Sequence, residues 1–282
     1  MKTVLNIGLV NNMPDAALEA TERQFRTLLN EAADNDITVR LDFYSLPGVP
    51  RKEAGQQHVS SYREIGELKG RSLDGLIVTG AEPRAANLKD EPFWADLAQL
   101  LDWAAQNTAS AVWSCLAAHA AVLYLDGIAR RRLCNKQFGI FECVYVGEHS
   151  LTAGAPHHVQ VPHSRWNDLR EDELKAAGYE LLTRIEDGGV DAFVKQGKSL
   201  FVFLQGHPEY EADTLMREYN RDVNRFLTGQ SKIFPTLPNG YSDSEETISN
   251  TWRPDAVRLY RNWLSYLAEQ KGHALQPQAI CA

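Results

Sequence analysis

The sequence predicts an α/β fold in which helices cover both faces of a doubly wound, mostly parallel sheet. Through residues 1–125, short apolar runs of strand length alternate with segments whose apolar residues recur at helical spacing. This alternation is the pattern of repeated βαβ units. With 282 residues, of which 44% are hydrophobic and 23% charged, the chain is also long enough to bury a sizeable core.

The first half of the chain supplies the regular elements in order. Apolar or alternating runs predict four strands, at 4–10, 38–44, 74–79 and 109–114. Apolar residues at helical spacing predict three helices, at 19–32, around 94–103, and from 116 to about 125. Each helix lies between two strands or directly after one, as parallel pairing requires.

The remaining segments are less regular. Prolines and glycines punctuate residues 45–68, which we expect to form an irregular surface excursion near the functional edge of the sheet. Short β-like runs at 139–146, 159–161 and 191–194 predict that the sheet continues in mixed or antiparallel fashion. An amphipathic pattern predicts a C-terminal helical extension at 254–272. We expect residues 1–282 to form a single α/β domain.

Charge and composition argue against several classes of protein. The formal net charge is −8, which disfavours nucleic-acid binding, and we expect the arginine triplet at 130–132 to form a solvated turn. No segment approaches the roughly 18 uninterrupted apolar residues of a membrane span, so no membrane partner is expected. Neither a signal peptide nor a CxxC pair is evident, and we expect a cytoplasmic protein.

Two motifs predict cysteine chemistry. Cys115 lies where a predicted strand runs into a helix, the turn at which α/β enzymes display a nucleophile and at which a helix N-terminus favours the thiolate. His207 and Glu209 follow the apolar run 200–204, so that His207 can act as a base and Glu209 can orient it. We therefore expect cysteine-based acyl transfer at the carboxyl ends of the strands.

Backbone amides would complete this site. The amide of Leu116 would point at a developing oxyanion, and Ala81 would supply a second donor because Gly80 permits close approach. Taken alone, a cysteine after a strand is more often a core residue, and a His-Pro-Glu run is often only a turn. Their occurrence at the ends of separate strands favours the catalytic interpretation.

These motifs resemble the homoserine O-acyltransferases of the MetA type (homoserine O-succinyltransferase, or homoserine transsuccinylase), which belong to the class I glutamine amidotransferase-like superfamily. The resemblance runs over nearly the whole chain and implies a flavodoxin-like fold with added C-terminal elements. Besides the cysteine turn, its pieces are Asn12-Met13-Pro14, Thr21-Glu22-Arg23-Gln24-Phe25, the run from Asp74 to Ala81, Phe93-Trp94, Phe138-Gly139-Ile140-Phe141-Glu142, Pro162-His163-Ser164-Arg165, Gly206-His207-Pro208-Glu209-Tyr210, Asp213-Thr214-Leu215, Arg217-Glu218-Tyr219, Trp252-Arg253 and Asn262-Trp263-Leu264.

The resemblance implies a ping-pong reaction. Cys115 would take a succinyl or acetyl group from succinyl-CoA or acetyl-CoA and pass it to the side-chain hydroxyl of L-homoserine, a step of methionine biosynthesis. His207 and Glu209 would complete the triad, with no bound cofactor. Arg253 is similar to the arginine that binds the carboxylate of the amino acid, a role that suits a bidentate guanidinium.

Further expectations concern the pocket and the assembly. Ser164 and Arg165 resemble pocket residues of the family, although a structural Arg–carboxylate pair is an equal alternative for Arg165. The partners would be small-molecule substrates, and the resemblance suggests a homodimer.

The chain departs from the family pattern at four positions. The lysine that follows Met-Pro in the family is absent, since Asp15 stands there, Leu116 replaces a tryptophan, and Cys143, which we expect to be inert, replaces a histidine. Arg84 aligns with the residue associated with succinyl versus acetyl choice. Its guanidinium could pair with the free carboxylate of a succinyl group or face solvent, and we favour the succinyl donor.

Other interpretations stay open. Homoserine and serine differ by one methylene, which a pocket discriminates by only ~1–3 kcal/mol, so serine or a related hydroxy amino acid is an alternative acceptor. A glutaminase module would use the same triad, but glycines usually surround its cysteine and a synthase accompanies it. A non-catalytic binding protein would not need the triad. His157, His158 and His163 lack HxxxH spacing, so no metal site is expected.

Overall fold

The computed structural model describes residues 2–186, 188–241 and 249–275. Of the predicted domain, residues 1, 187, 242–248 and 276–282 lie outside this description. Within the described residues, nine strands form one sheet. They are β1 Thr3–Val10, β2 Ile37–Tyr44, β3 Gly75–Val78, β4 Ser110–Ser114, β5 Arg131–Tyr145, β6 His158–Asp168, β7 Glu180–Ile185, β8 Val190–Gln196 and β9 Leu200–Leu204.

The sheet has a parallel half and an antiparallel half. The spatial order is β2-β1-β3-β4-β9-β8-β7-β5-β6. The first five strands pair in parallel, whereas every later pair is antiparallel. Because direction reverses at each antiparallel step, β7 and β6 run with the five parallel strands and only β8 and β5 run against them. The antiparallel continuation expected beyond residue 138 is thus present.

Helices cover both faces of the parallel half. The helices are α1 Leu18–Ala32, α2 Glu53–Val59, α3 Trp94–Asn107, α4 Leu116–Asp126, α5 Glu171–Ala176, α6 Thr214–Leu227 and α7 Arg253–Leu275. Trp263 of α7 shares one core with Ile77, and Ala121 of α4 shares the opposite core with Leu76. Successive residues of β3 therefore face different layers, as strand geometry requires. The prediction of a doubly wound α/β fold is confirmed.

Several local expectations differ from the structure. Residues 45–68 include α2 and enter a 3-10 helix at Ile65–Gly70; α2 buries only Gly55, so no apolar stripe marks it in the sequence. The arginine triplet is not a turn, because Arg131 and Arg132 open β5 opposite Asp168 and Asn167. Both arginines are exposed, so the charges stand at a solvated strand end. The elements β7, α5 and α6 were not predicted.

The strand β9 joins the parallel half of the sheet to the antiparallel half. It pairs in parallel with β4 and antiparallel with β8. Register aligns Val78 with Trp113 and Ser114 with Leu204, so the carboxyl ends of β3, β4 and β9 lie side by side. Open α/β sheets bind ligands at this edge. In the part of the chain that the structure describes, no helix combines the length and apolarity needed to cross a bilayer.

Candidate active site

A strained turn between β4 and α4 presents Cys115. Its backbone has φ 52° and ψ −112°, and among the described residues it is the only non-glycine residue with a positive φ. Such a conformation costs about 1–3 kcal/mol and persists only where the surroundings enforce it. The Cys115 amide donates to the Leu204 carbonyl of β9 at 2.7 Å, which fixes the turn from the neighbouring strand. The thiol is free and partly exposed.

His207 and Glu209 form a buried pair just beyond β9. Both residues are 5% exposed, and His207 Nδ1 lies 2.8 Å from Glu209 Oε1. The His207 amide donates to the Pro162 carbonyl at 2.8 Å, and the ring stacks on Tyr210 with 4.3 Å between centroids. The imidazole is therefore held in one orientation from three sides.

The charges around His207 favour the imidazolium. Burial alone lowers the pKa of His207, but the negative charges of Glu209 and Cys115, together with hydrogen bonds to both side chains, raise that pKa well above its ordinary value. Because Nδ1 is engaged by Glu209, Nε2 is the nitrogen left for the thiol. The arrangement places an imidazolium next to the Cys115 thiol, and it brings together the three residues predicted as nucleophile, base and orienting group.

The chain after β3 lies against the start of α4. A methyl group added at Gly80 would stand 3.0 Å from the Leu116 nitrogen, so glycine is what allows the end of β3 to approach the turn. Leu116 is the first residue of α4, where an amide has no helical acceptor. Within the described residues, the amides of Leu116 and Ala81 donate to no other protein group. Both are available to an oxyanion.

Ser164 is connected to His207 indirectly, through Glu218 and Tyr210. Its hydroxyl donates to Glu218 Oε2 at 2.5 Å, and the Tyr210 hydroxyl donates to Glu218 Oε1 at 2.6 Å. Tyr210 in turn stacks on His207. Glu218 belongs to the Arg217-Glu218-Tyr219 run of the family resemblance, but no role in the site was predicted for it.

Arg165 is committed to a buried network. It is 3% exposed and donates to Asp168 Oδ1 at 2.8 Å and to Gln205 Oε1 at 3.3 Å. Gln205 also lies 2.7 Å from Nε2 of the buried His119. Arg165 therefore forms the structural Arg–carboxylate pair that was the alternative to a pocket role. Through Gln205, the same network holds the segment that leads to His207.

Arg253 lies at the start of α7. Trp252 is buried and donates its indole N–H to the Tyr210 carbonyl at 3.0 Å, which ties the helix start to the segment that carries the triad. The Arg253 side chain is 17% exposed, and its Nε donates to Glu31 Oε2 at 2.8 Å. The guanidinium is therefore partly accessible.

Arg84 is exposed, and Glu91 holds its backbone. The Arg84 and Ala85 amides donate to Glu91 Oε1 at 2.6 and 2.7 Å, while the Arg84 residue is exposed. Arg130, the first residue of the arginine triplet that was expected to be solvated, is instead half-buried near Glu91 and Cys115. The position of Arg130 near these residues depends on the path of the chain after α4, which no local sequence pattern predicts.

The position of the missing lysine is occupied by an ion pair. Asp15 accepts from Arg51 Nη1 at 3.4 Å, and Arg51 also donates to the carbonyls of Met13 and Asn11 at 3.0 Å. The Arg51 side chain is only 5% exposed. A cation from the 45–68 segment thus stabilises the Met-Pro loop, and both of its terminal nitrogens already donate to protein groups.

Cys143, His163 and Asp191 form a compact buried cluster. Their ligand atoms lie within 4.8 Å of one another, a set that the sequence did not indicate because it spans three strands. Asp191 is already engaged by Thr183 at 2.6 Å and by His163 at 3.2 Å. Burial strongly raises the pKa of the Cys143 thiol, which disfavours the thiolate that a metal requires.

Comparison with known proteins gives a consistent result. A family model described as homoserine O-succinyltransferase matches residues 2–274. The homoserine O-succinyltransferase of Rhodopseudomonas palustris is 52% identical over 90% of this chain and 76% of that protein. The homoserine O-succinyltransferase of Bradyrhizobium japonicum is 47% identical over 94% of this chain and 90% of that protein. A glutamine amidotransferase structure from Thermotoga maritima aligns with a TM-score of 0.57 at 16% identity, over 94% of this chain and 98% of that one, and shares the fold.

Proposed function

The chain belongs to the homoserine O-succinyltransferase family, and we propose that it moves a succinyl group from succinyl-CoA to the side-chain hydroxyl of L-homoserine through a thioester on Cys115. The reaction is ping-pong, and its product serves methionine biosynthesis. The observation that carries this proposal is the cluster of a strained, accessible cysteine with the buried His207–Glu209 pair.

In the first half-reaction, the Cys115 thiolate attacks the thioester carbonyl carbon of succinyl-CoA. The carbonyl electrons move to oxygen, where the Leu116 and Ala81 amides stabilise the charge. The intermediate then re-forms the carbonyl and breaks the bond to the CoA sulfur. The departing thiolate takes its proton from the His207 imidazolium, and the raised pKa of His207 supports this assignment because it keeps the ring protonated beside the thiolate.

In the second half-reaction, His207 acts as the base. Acylation converts the thiolate to an uncharged thioester, which removes one of the charges that raise the pKa of His207. The ring then accepts the proton of the homoserine hydroxyl as its oxygen attacks the acyl carbon. Collapse of this second intermediate expels the Cys115 thiolate and leaves an O-succinyl ester, while Glu209 steadies the imidazolium that forms.

The remaining predicted residues have different proposed roles. Arg253 binds the carboxylate of homoserine, which its partly accessible guanidinium supports. Ser164 and Arg165 act as positioning residues, because their side chains reach Glu218 and Asp168 rather than the thiol. The homodimer and the cytoplasmic location stay predictions.

Intact-protein mass spectrometry tests the function. A brief exposure to succinyl-CoA or acetyl-CoA should add an acyl mass to Cys115, with succinyl added faster, and a homoserine chase should discharge it. Cys115→Ala should add nothing, and His207→Asn should slow the chase by about 100-fold or more.

Each other outcome would redirect the assignment. Discharge by serine but not by homoserine would change the acceptor, and preferential acetylation would change the donor. No adduct from either CoA ester, together with ammonia release from glutamine, would replace acyl transfer by glutaminase activity.

A further inference from the structure

An arginine outside the triad follows the end of α4. Gly127 adopts φ 71°, and the Ile128 amide donates back to the Val122 carbonyl at 3.3 Å, so the helix ends in a left-handed cap. Arg130 comes two residues later, directly before β5, and is half-buried.

Arg130 and Glu91 each keep one buried polar atom without a partner. Within the described residues, neither Arg130 Nη1 nor Glu91 Oε2 has a hydrogen-bond partner, and Glu91 is only 3% exposed. The other oxygen of Glu91 accepts from the amides of Arg84 and Ala85. Leaving a buried donor unpaired costs about 1–3 kcal/mol, and more when the group is charged. An unused donor of this kind is a feature that a ligand acceptor would satisfy.

Arg130 lies close enough to Cys115 and Glu91 for their charges to act on its guanidinium. Burial lowers the pKa of Arg130, and the negative charges of Glu91 and Cys115 oppose that effect. His119, one turn into α4, also senses the charge of Arg130. An arginine remains protonated under these conditions, so the charge that acts on Cys115 is permanent and carries a spare N–H.

We propose that Arg130 binds the free carboxylate of the succinyl group carried by Cys115, while Glu91 fixes the loop at Arg84 and offsets the charge of Arg130. This assignment rests on the proposed acyl transfer and names the feature that selects a dicarboxylic acyl donor. It transfers to Arg130 the donor-selecting role that the family resemblance suggested for Arg84, whose residue is exposed.

Charge balance during the reaction supports this subsite. Formation of the thioester removes the negative charge of the Cys115 thiolate from the neighbourhood of Arg130. A succinyl group restores one negative charge there, whereas an acetyl group restores none. Three C–C bonds of about 1.5 Å each separate the two carbonyl carbons of a succinyl group, so its carboxylate stays close to the sulfur. The half-buried Arg130 suits that position better than the exposed Arg84 does.

The test compares two acyl donors that differ in charge. Single-turnover acylation of Cys115 by succinyl-CoA and by butyryl-CoA, followed by intact-protein mass spectrometry, gives a rate for each donor. Arg130→Met should slow succinylation by about 10–100-fold, the value of a charge-assisted hydrogen bond, and leave butyrylation unchanged. Arg132→Met is the matched control, because Arg132 is an exposed arginine two residues away that stacks on Trp166. It should alter neither rate.

The outcomes separate this subsite from the proposed function. Equal slowing of both donors, or no slowing of either, would overturn the subsite, as would a selective loss in Arg84→Met with none in Arg130→Met. Failure of the unmodified protein to take an acyl group from any CoA ester would instead contradict acyl transfer itself. Butyrylation reports whether each variant is folded. Should Arg130→Met not fold, Arg130→Lys carries the test, because it keeps the charge, loses the planar fork and should still lower the succinyl rate selectively.

Discussion

Replacing Arg165 by methionine should destabilise the fold rather than weaken substrate binding. Arg165 and Asp168 are 3% and 1% exposed and lie 2.8 Å apart, so the substitution leaves a buried carboxylate without its main counter-charge. Breaking a buried ion pair in this way costs about 3–5 kcal/mol. The Val190 carbonyl, which accepts from Arg165 at 3.3 Å, also loses a donor. The loss is a large share of a typical unfolding free energy of about 5–15 kcal/mol.

The same carboxylate supplies a matched control. Arg131 contacts the other oxygen of Asp168 at 3.0 Å, but its side chain is 57% exposed. Arg131→Met should therefore cost at most about 1 kcal/mol. Urea unfolding at neutral pH, followed by tryptophan fluorescence, gives both values from the transition midpoints. An Arg165→Met penalty no larger than that of Arg131→Met would refute the reasoning.

The penalty should also depend on pH. Burial raises the pKa of Asp168, but the charge and hydrogen bonds of Arg165, together with Arg131, outweigh burial and hold that pKa below its ordinary value. A carboxylate with a lowered folded pKa stabilises the fold above its unfolded pKa, and the contribution is lost as the pH falls through the folded pKa. Without Arg165, the penalty should be larger near neutral pH than at about pH 3, which lies below the ordinary carboxyl pKa of about 4. Equal penalties would assign the loss to packing instead of charge.

Two further substitutions test the site itself. Glu209→Gln should lower the pKa of His207, because the charge of Glu209 is the largest of the causes that raise it; NMR titration of the imidazole measures this, and an unchanged pKa would contradict the pairing. A histidine whose pKa is raised in the folded state stabilises the fold below its unfolded pKa, and this contribution disappears as the pH rises through the folded pKa. Glu209→Gln should therefore cost more stability in acid than in base. Arg253→Met should raise the KM for homoserine about 10–100-fold without changing the rate of Cys115 succinylation, and a slower succinylation would remove Arg253 from the acceptor pocket.

The parallel half of the sheet follows from local sequence patterns, and the antiparallel half does so only in part. Strands such as β3 and β9 are buried along their whole length, so they stand out as apolar runs. The strand β7 was missed because exposed Glu180 and Arg184 interrupt it. The helix α6 was missed although it also contains Met216, Val223 and Phe226, because charged residues lie between its apolar ones and it buries only Leu215. Their places are set by tertiary packing, which a short window of sequence does not contain.

The residues of the candidate site also divide into those whose position the sequence predicts and those whose surroundings depend on tertiary packing. Cys115 and His207 each follow a strand directly, so sequence position and spatial position coincide. Ser164 and Arg165 are neighbours in one motif, yet they reach Glu218 and Asp168 in different surroundings, because successive residues of a strand point to opposite faces. A motif therefore locates such residues without telling which of them meets the substrate.

The central position of β9 has a consequence for biosynthesis. The strand β4 ends at Ser114, whereas its neighbour β9 begins only at Leu200. At about 5–20 residues per second, the ribosome adds the intervening chain in roughly 4–17 s. Until then β4, buried on all its residues in the finished protein, has an open edge that can pair with other chains. The same late strand carries the Leu204 carbonyl that fixes the cysteine turn and leads into the base, so the nascent polypeptide passes through an aggregation-prone interval during which its thiol is not yet activated.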